Sequence, residues 1–150
     1  HDDGRSARDS GAGGMDALFC RASRARPIVG EIKALTETVG PTFALIQSLM
    51  YAVEISTPAQ QSRLGNAYPE FHGLSERNCQ EPLEIYLLFE KPKRDSEAFD
   101  RDFSFMSRLA SKFCGHDVAR GRIGRIVAFE CSLGENEAVL EASFRTECGE

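Results

Sequence analysis

The stretch that decides the fold runs from Phe99 to Arg145 and contains FDRDFSFMSRLASKF (99–113), IVAFEC (126–131) and AVLEASFR (138–145). In the first segment, apolar residues recur every three or four positions, which predicts an amphipathic helix. The other two segments alternate in the manner of strands, and a short connection containing Gly134 and Asn136 separates them. They are therefore predicted to pair as an antiparallel hairpin.

Outward from this stretch, one further strand is well marked. Residues 83–90 (LEIYLLFE) alternate around large apolar side chains and end at the turn-prone segment KPKRDS, which predicts a strand. Residues 16–22 (DALFCRA) predict a second, short strand. Pro27 then stands where a first helical residue would, and apolar residues follow it at helical spacing, so a helix is predicted to end near Val39.

Residues 42–56 support two different predictions. Their apolar residues fit a second helix after the break at Gly40 and Pro41, which would make an αα-hairpin. The same residues also fit two short paired strands with a turn near Gln47 and Ser48. Periodicity leaves both open, because short apolar runs are difficult to assign.

Two other segments are predicted to lack regular structure. Residues 57–81 contain several prolines and glycines and few apolar residues, so they are predicted to be mostly loop, with a short strand at 66–71. His1 to Gly14 is polar and Gly-rich, and we interpret it as a disordered tail or a tag remnant. Residues 15–150 are then expected to fold as a single α+β domain.

Composition excludes several classes of protein. The longest uncharged run has 16 residues and includes a Gly-Pro pair, whereas a membrane-spanning helix needs roughly 20 apolar residues. The five cysteines include no Cys-x-x-Cys pair, so neither a disulfide framework nor a zinc site is predicted. A soluble protein in a reducing, intracellular environment is expected.

Charge is distributed unevenly along the chain. The net charge of −5 argues against nucleic-acid binding by bulk charge. Residues 91–125 nevertheless carry nine basic and five acidic residues, a local charge of +4. Residues 126–150 carry one Arg and six Glu, a local charge of −5, and residues 27–90 are also at −5. Basic charge is therefore concentrated around the predicted helix.

The basic residues of that helix share one face. At about 100° per residue, Arg101, Arg108 and Lys112 fall within about 40° of one another around the axis. Apolar residues occupy a different face, and serines fill the space between them. A row of cations beside small hydroxyls can lie along a phosphate backbone without reading bases. An ordinary solvated helix face is the alternative interpretation.

With paired strands at 42–56, the elements run strand, helix, two strands, loop, strand, helix and hairpin. This order resembles one domain of a sliding DNA clamp, the family that includes proliferating cell nuclear antigen and the subunits of the eukaryotic checkpoint clamp. The resemblance covers Met15 to Cys148. The segments that carry it are FSFMSRLASKF (103–113), RIVAFECSLGENEAVLEASF (125–144), LFCRA (18–22) and the segment from Ile28 to Val39.

The resemblance implies an α+β domain in which two helices pack on an antiparallel sheet and face double-stranded DNA inside a ring of clamp subunits. It implies a non-enzymatic role in damage checkpoint signalling or replication, with a nuclear location. No cofactor, metal ion, membrane or small-molecule substrate is expected. The residues that it places toward the DNA phosphates are Arg101, Arg108, Lys112, Lys33, Arg24 and Arg26.

Two other classes of protein stay open. The first is a protein-interaction or scaffold domain, with an N-terminal αα-hairpin followed by β-α-β-β elements, whose basic helix docks on an acidic partner. The second is a small enzyme that uses Cys114 with His116, or residues of the 57–81 segment. Side chains two positions apart rarely align as nucleophile and base, so Cys114 is expected to be a packed residue.

Overall fold

The computed structural model describes residues 15–21, 24–34, 40–75, 82–90, 96–133 and 138–148. Within them, the elements in chain order are β1 (Ala17–Arg21), β2 (Arg24–Lys33), α1 (Pro41–Ile55), α2 (Pro58–Ala67), a 3-10 turn (Pro69–Phe71), α3 (His72–Ser75), β3 (Leu83–Glu90), α4 (Glu97–Cys114), β4 (Ile123–Leu133) and β5 (Ala138–Glu147).

The strands form one sheet in the order β1-β2-β3-β4-β5. The outer pairs, β1 with β2 and β4 with β5, are antiparallel, whereas β2, β3 and β4 run parallel to one another. Helix α1 lies in the connection from β2 to β3, and α4 lies in the connection from β3 to β4. Both crossovers step in the same direction across the sheet, so their common handedness places α1 and α4 on the same face.

The hydrophobic core lies between that face and the two helices. Alternate residues of β3 are buried against them, and the largest fully buried side chains of the core include Leu45, Ile85, Leu87, Phe89, Met106 and Ile126. We call α1 to α4 the helical layer, and we call the uncovered side of the sheet the open face. The exposed residues discussed below are therefore assigned either to the helical layer or to the open face.

This mixed architecture confirms the α+β class but differs from the predicted sheet. An antiparallel sheet was expected, and that prediction is wrong because β3 pairs in parallel with both of its neighbours. The β-α-β-β order of the alternative fold is present from β3 to β5, whereas the αα-hairpin predicted before it is not formed as expected, because its first helix is replaced by the strand β2.

The elements with the clearest periodicity are confirmed. The strand at 83–90 is β3, the helix at 99–113 lies within α4, the short strand at 16–22 is β1, and the hairpin is formed by β4 and β5. Three predicted features lie outside the described residues, namely the 1–14 segment, the 35–39 end of the first helix and the 134–137 part of the hairpin connection.

The helix predicted to start at Pro27 is wrong, because Arg24–Lys33 forms β2. Ile28 and Val29 are both buried although adjacent strand residues point to opposite faces. Where a strand is buried on both faces, as β2 is at Ile28 and Val29, it loses its alternation, and its apolar residues then imitate helical spacing. Pro27 lies opposite Cys20 in β1 but has no partner in β3, where pairing begins only at Ile28, so β2 is an edge strand at this position, where proline is tolerated.

Residues 42–56 form a helix almost throughout, so the paired-strand prediction is wrong and the helical one is confirmed. Helix α1 starts with Pro41, directly after Gly40, and runs to Ile55. The clamp resemblance used paired strands here and a helix after Pro27. The order of elements on which it relied is therefore not the order observed.

The loop predicted for residues 57–81 is largely helical. The Thr57 hydroxyl accepts a hydrogen bond from the Gln60 amide at 3.3 Å, and Pro58 occupies the first turn of α2. Both are ordinary signals for the start of a helix. The strand predicted at 66–71 is also wrong, because the 3-10 turn follows α2 there. Residues 76–81 lie outside the described part of the chain.

A disulfide is present, contrary to the prediction from cysteine spacing. Cys114 and Cys148 are joined across 34 residues, with their Cα atoms 4.3 Å apart. Cys114 ends α4, and Cys148 follows β5, so the bond attaches the last strand to the helix. Both residues are buried. The pairing depends on how the hairpin returns to α4, and cysteine spacing does not contain that information.

The open face carries a cluster of charged side chains. Glu84 is only 1% exposed, and its carboxylate accepts hydrogen bonds from Arg125 at 2.6 and 2.8 Å and from the Tyr86 hydroxyl at 3.0 Å. The Arg26 guanidinium lies 3.4 Å from its other oxygen. Burial lowers the pKa of Arg125, but hydrogen bonds and the charge of Glu84 raise it by more than burial lowers it. The pKa therefore lies above its usual range. This cluster connects β2, β3 and β4 at one end.

We predict that Arg125→Met lowers the free energy of unfolding by about 3–5 kcal/mol, because Glu84 would stay buried without its main partner. The double variant Arg125→Met, Glu84→Gln should be destabilised by less than the sum of the two single variants, and the difference should be about 2 kcal/mol or more. Urea unfolding measures both. Arg145→Met is the control, since Arg145 is exposed on β5 and should lose under about 0.5 kcal/mol. Additive effects would contradict this role for the cluster.

Candidate functional site

One carboxylate joins the N-terminal ends of α1 and α4. Gly40 precedes α1 and offers no side-chain cap, and Asp102 of α4 supplies one. Its carboxylate accepts hydrogen bonds from the Thr42 amide at 3.2 Å and from the Thr42 hydroxyl at 2.5 Å. A Cβ atom at residue 40 would overlap this carboxylate, so the close approach requires glycine. Asp102 therefore fixes where α1 starts relative to α4.

Helix α1 is apolar on its outer side as well as on its inner side. Its inner residues, which include Ala44, Leu45 and Ala52, are buried against the sheet. On the outer side, Phe43, Ile46, Met50 and Val53 are 50%, 44%, 63% and 58% exposed, respectively. We call these four residues the apolar ridge. They form one row that is about 15 Å long, at 1.5 Å of rise per residue.

Helix α4 presents a row of cations on its outer side. Arg101, Arg108 and Lys112 are all exposed, and we call these three residues the basic stripe. Neither Arg101 nor Lys112 forms an ion pair with any residue in the described part of the chain. Phe105 is 50% exposed beside the stripe, and its ring centroid lies 6.0 Å from the Arg108 guanidinium. The stripe therefore combines available charge with an exposed aromatic ring.

The ridge and the stripe lie side by side. Helices α1 and α4 run in the same direction, because each leads from one parallel strand to the next. Asp102 marks the flank of α4 that faces α1, and Phe105 lies about 60° from it around the axis, toward the stripe. Packed helices lie about 8–10 Å apart. The outer surface is therefore an apolar row beside a parallel cationic row, with Phe105 between them.

The other residues predicted to face DNA do not join this surface. Lys33 of β2 is largely buried, and its amine lies 2.7 Å from the Glu31 carboxylate. Arg26 lies on the open face, where it contacts Glu84. Arg24 lies in β2, and its side chain is outside the described part of the structure. The predicted set is thus divided between two sides of the sheet.

The thiol and imidazole considered for catalysis are not paired. Cys114 is bound in the disulfide. His116 is exposed, and its Nδ1 atom accepts a hydrogen bond from the Val118 amide at 3.3 Å. The expectation that Cys114 is a packed residue is confirmed.

A cavity of about 380 Å³ lies between β1 and the 3-10 turn. It is lined by Leu18, Cys20 and Phe71, among others, and the Cys20 thiol donates to the Glu70 carbonyl oxygen at 3.2 Å. Burial, and to a smaller degree the Glu70 charge, raise the pKa of Cys20. Its reactive thiolate is therefore less populated than that of an ordinary cysteine. Among the described residues, no group of three His, Cys, Asp or Glu side chains could hold a metal ion.

The apolar ridge is the part of the surface that sequence reasoning missed. The signal was present, since the 15 residues of α1 include a single charged one, Glu54. A helix with one side on a sheet is normally polar on the other. The four side chains form a row only if residues 42–56 are helical, and the periodicity of these residues also fits two short strands.

Comparison of the chain with protein-family models, with curated proteins and with solved structures finds no match in any of the three. No helix among the described residues is long and apolar enough to cross a membrane. We infer the function from the geometry of the ridge and the stripe.

We predict that Asp102→Ala lowers the free energy of unfolding by about 1–2 kcal/mol, because α1 loses its cap. The Thr42 amide hydrogen should also exchange faster with solvent, since its acceptor is removed. Asp100→Ala is the matched control. Asp100 is exposed in the first turn of α4, and its loss should cost about 0.3–1 kcal/mol without changing Thr42 exchange. Equal effects on Thr42 exchange would show that Asp102 does not hold the two helices together.

Proposed function

We propose that this chain is a non-enzymatic protein-interaction domain that docks an acidic protein partner on the outer surface of its helical layer. The observation that carries the proposal is the apolar ridge, a row of four large apolar side chains that are exposed on one helix. The basic stripe beside it supplies the preference for an acidic partner.

The ridge is energetically costly in water. Each large apolar side chain gains about 1.5–3 kcal/mol when it is fully buried. Single exposed apolar residues are common, but a continuous row on an almost uncharged helix is typical of a surface that becomes covered in a complex. Phe, Met and Arg, which the ridge and the stripe contain, are also enriched at protein interfaces. Docking a partner here would therefore stabilise the complex over the free domain.

Charge determines which partners reach this surface. The chain carries −5 overall, whereas the stripe places three exposed cations on this surface. An acidic protein would be attracted to the stripe and repelled by most of the remaining surface. Such complementarity mainly raises the association rate and fixes the orientation, whereas burial of the ridge supplies most of the affinity.

Selection from a random displayed peptide library tests the docking surface. Peptides enriched on the wild-type domain are measured again on the Met50→Glu, Val53→Glu double variant. We expect most of them to lose at least about tenfold in affinity, because two charges would enter the buried centre of the interface. The matched control is Ile32→Glu with Leu140→Glu, two exposed apolar positions on the open face, which should leave affinity unchanged.

Circular dichroism and urea unfolding check that both double variants stay folded, which is expected because all four positions are exposed. Enriched peptides that bind the Met50, Val53 variant as tightly as the wild type would exclude the ridge as the docking surface.

A second candidate function is the one that the clamp resemblance implies, contact with the phosphates of double-stranded DNA within a ring of clamp subunits. The observation in its favour is that Arg101, Arg108 and Lys112 are exposed in one row, about 16 Å long at 1.5 Å per residue. The neighbouring ridge argues for the first candidate, because phosphate contacts use cations and hydrogen-bond donors rather than an apolar row.

For DNA contact, Arg108→Glu with Lys112→Glu should weaken binding of a duplex of about 20 base pairs, and wild-type binding should fall steeply with added salt. Met50→Gln with Val53→Thr should have no effect, since the ridge does not contact phosphates and these substitutions add no charge. Fluorescence anisotropy of the labelled duplex measures both. Binding that is insensitive to Arg108 and Lys112 would exclude the stripe as a DNA-contacting face.

A further inference from the structure

We infer that the docked segment of the partner is a single amphipathic α-helix that lies along α1 and carries a row of acidic residues on one flank, the flank above α4. The inference rests on the proposed docking function and specifies the shape and the charge of what is docked.

The spacing of the ridge indicates a helix rather than an extended strand. Its members follow one another by three, four and three residues, which is the spacing of the a and d positions in a coiled coil. The gaps along such a row accept side chains that repeat at the same spacing on a second helix. Side chains on one face of a strand repeat every two residues and do not match it. The length of the ridge corresponds to about three turns of a partner helix.

The two sides of the ridge differ in charge. On the α4 side, Phe105 continues the apolar surface toward Arg108 and the rest of the stripe. On the other side, α1 itself carries Gln47 and Glu54. At about 100° per residue, these two lie on the flank of the ridge away from Thr42, the residue that contacts α4. Acidic side chains of a partner would be repelled there and attracted above α4, so one flank of the partner helix is acidic.

A second copy of this chain fits this surface less well. Contacts place the 3-10 turn and α3 against β2, on the side of α1 that is opposite α4. If two helical layers met around a two-fold axis, each stripe would face either the other stripe or the α2 side of the second copy. Residues 57–75 on that side contain Arg63 and a single acidic residue, Glu70. With Glu54 of α1 on the same flank, the three cations of the stripe would meet two carboxylates and one arginine, so most of their charge would stay unneutralised, which favours a different, acidic chain.

Three synthetic peptides of identical composition test the inference by fluorescence anisotropy on the full chain. Each has about 18 residues, about 27 Å as a helix, with four Leu at coiled-coil spacing and a set of Glu residues. In the first peptide, the Glu residues lie on one flank of the Leu row. In the second, they lie on the face opposite that row. The third repeats the first with two central D-residues, which break a right-handed helix.

The first peptide should bind at least about tenfold more tightly than the other two. The second peptide is helical but cannot place Glu against the stripe, and the third cannot form the helix. Arg108→Glu with Lys112→Glu should remove that advantage and bring the first peptide to the affinity of the second. The matched control is Arg63→Glu with Arg145→Glu, two exposed arginines outside the stripe, which should leave the ranking unchanged.

The possible outcomes separate this inference from the docking function. If all three peptides bind with equal affinity, the helical inference is overturned. If that binding is also lost in the Met50→Glu, Val53→Glu variant, docking at the ridge is supported. If none binds above the level of that variant, the inference also fails, and the library selection decides on the docking function. Wild-type self-association in analytical ultracentrifugation that this variant abolishes would show that a second copy covers the ridge instead.

Discussion

The relation between α1 and α4 depends on the Asp102 carboxylate at the start of α1. The first amides of a helix lack partners within the helix, and Gly40 has no side chain to provide one. Asp102 reaches across from α4 and binds both polar groups of Thr42 that are available there. Since glycine at position 40 gives the carboxylate its space, the capping residue of one helix belongs to its neighbour. The ridge and the stripe keep a fixed register as a result.

The contacts that hold the fold together are largely separate from the surface proposed for docking. The buried cluster around Glu84 connects the parallel strands on the open face, and the disulfide between Cys114 and Cys148 attaches the last strand to α4. The ridge and the stripe, in contrast, are exposed and contribute little to the packed core. Substitutions on the outer surface can therefore change binding while the fold persists, which makes the proposed function separable from stability.

The parts of the fold that could be predicted from the sequence are those with a single strong period. Strand β3 and helix α4 have such a period, and both form as expected. The sequence of β2 predicts a helix because Ile28 and Val29 are buried on opposite faces, which removes the alternation of a half-buried strand. In α2, the prolines and glycines of the segment outweighed the helix-start signal of Thr57 and Pro58.

For the candidate site, the stripe could be predicted because Arg101, Arg108 and Lys112 lie on one helix and need only its period. The ridge required a decision about residues 42–56 that local pattern alone does not provide. The disulfide and the pairing of Glu84 with Arg125 join residues that are distant in sequence, so they depend on the order of strands in the sheet.

Methyl NMR of the full chain would measure the docking surface most directly. Selectively labelled Ile and Met methyl groups report on Ile46 and Met50 in the ridge and on Ile32 of the open face. We predict that titration with a helical peptide carrying Glu on one flank of its Leu row shifts the Ile46 and Met50 signals to saturation and leaves Ile32 unchanged. Saturating shifts at Ile32, with Ile46 and Met50 unmoved, would contradict docking on the helical layer.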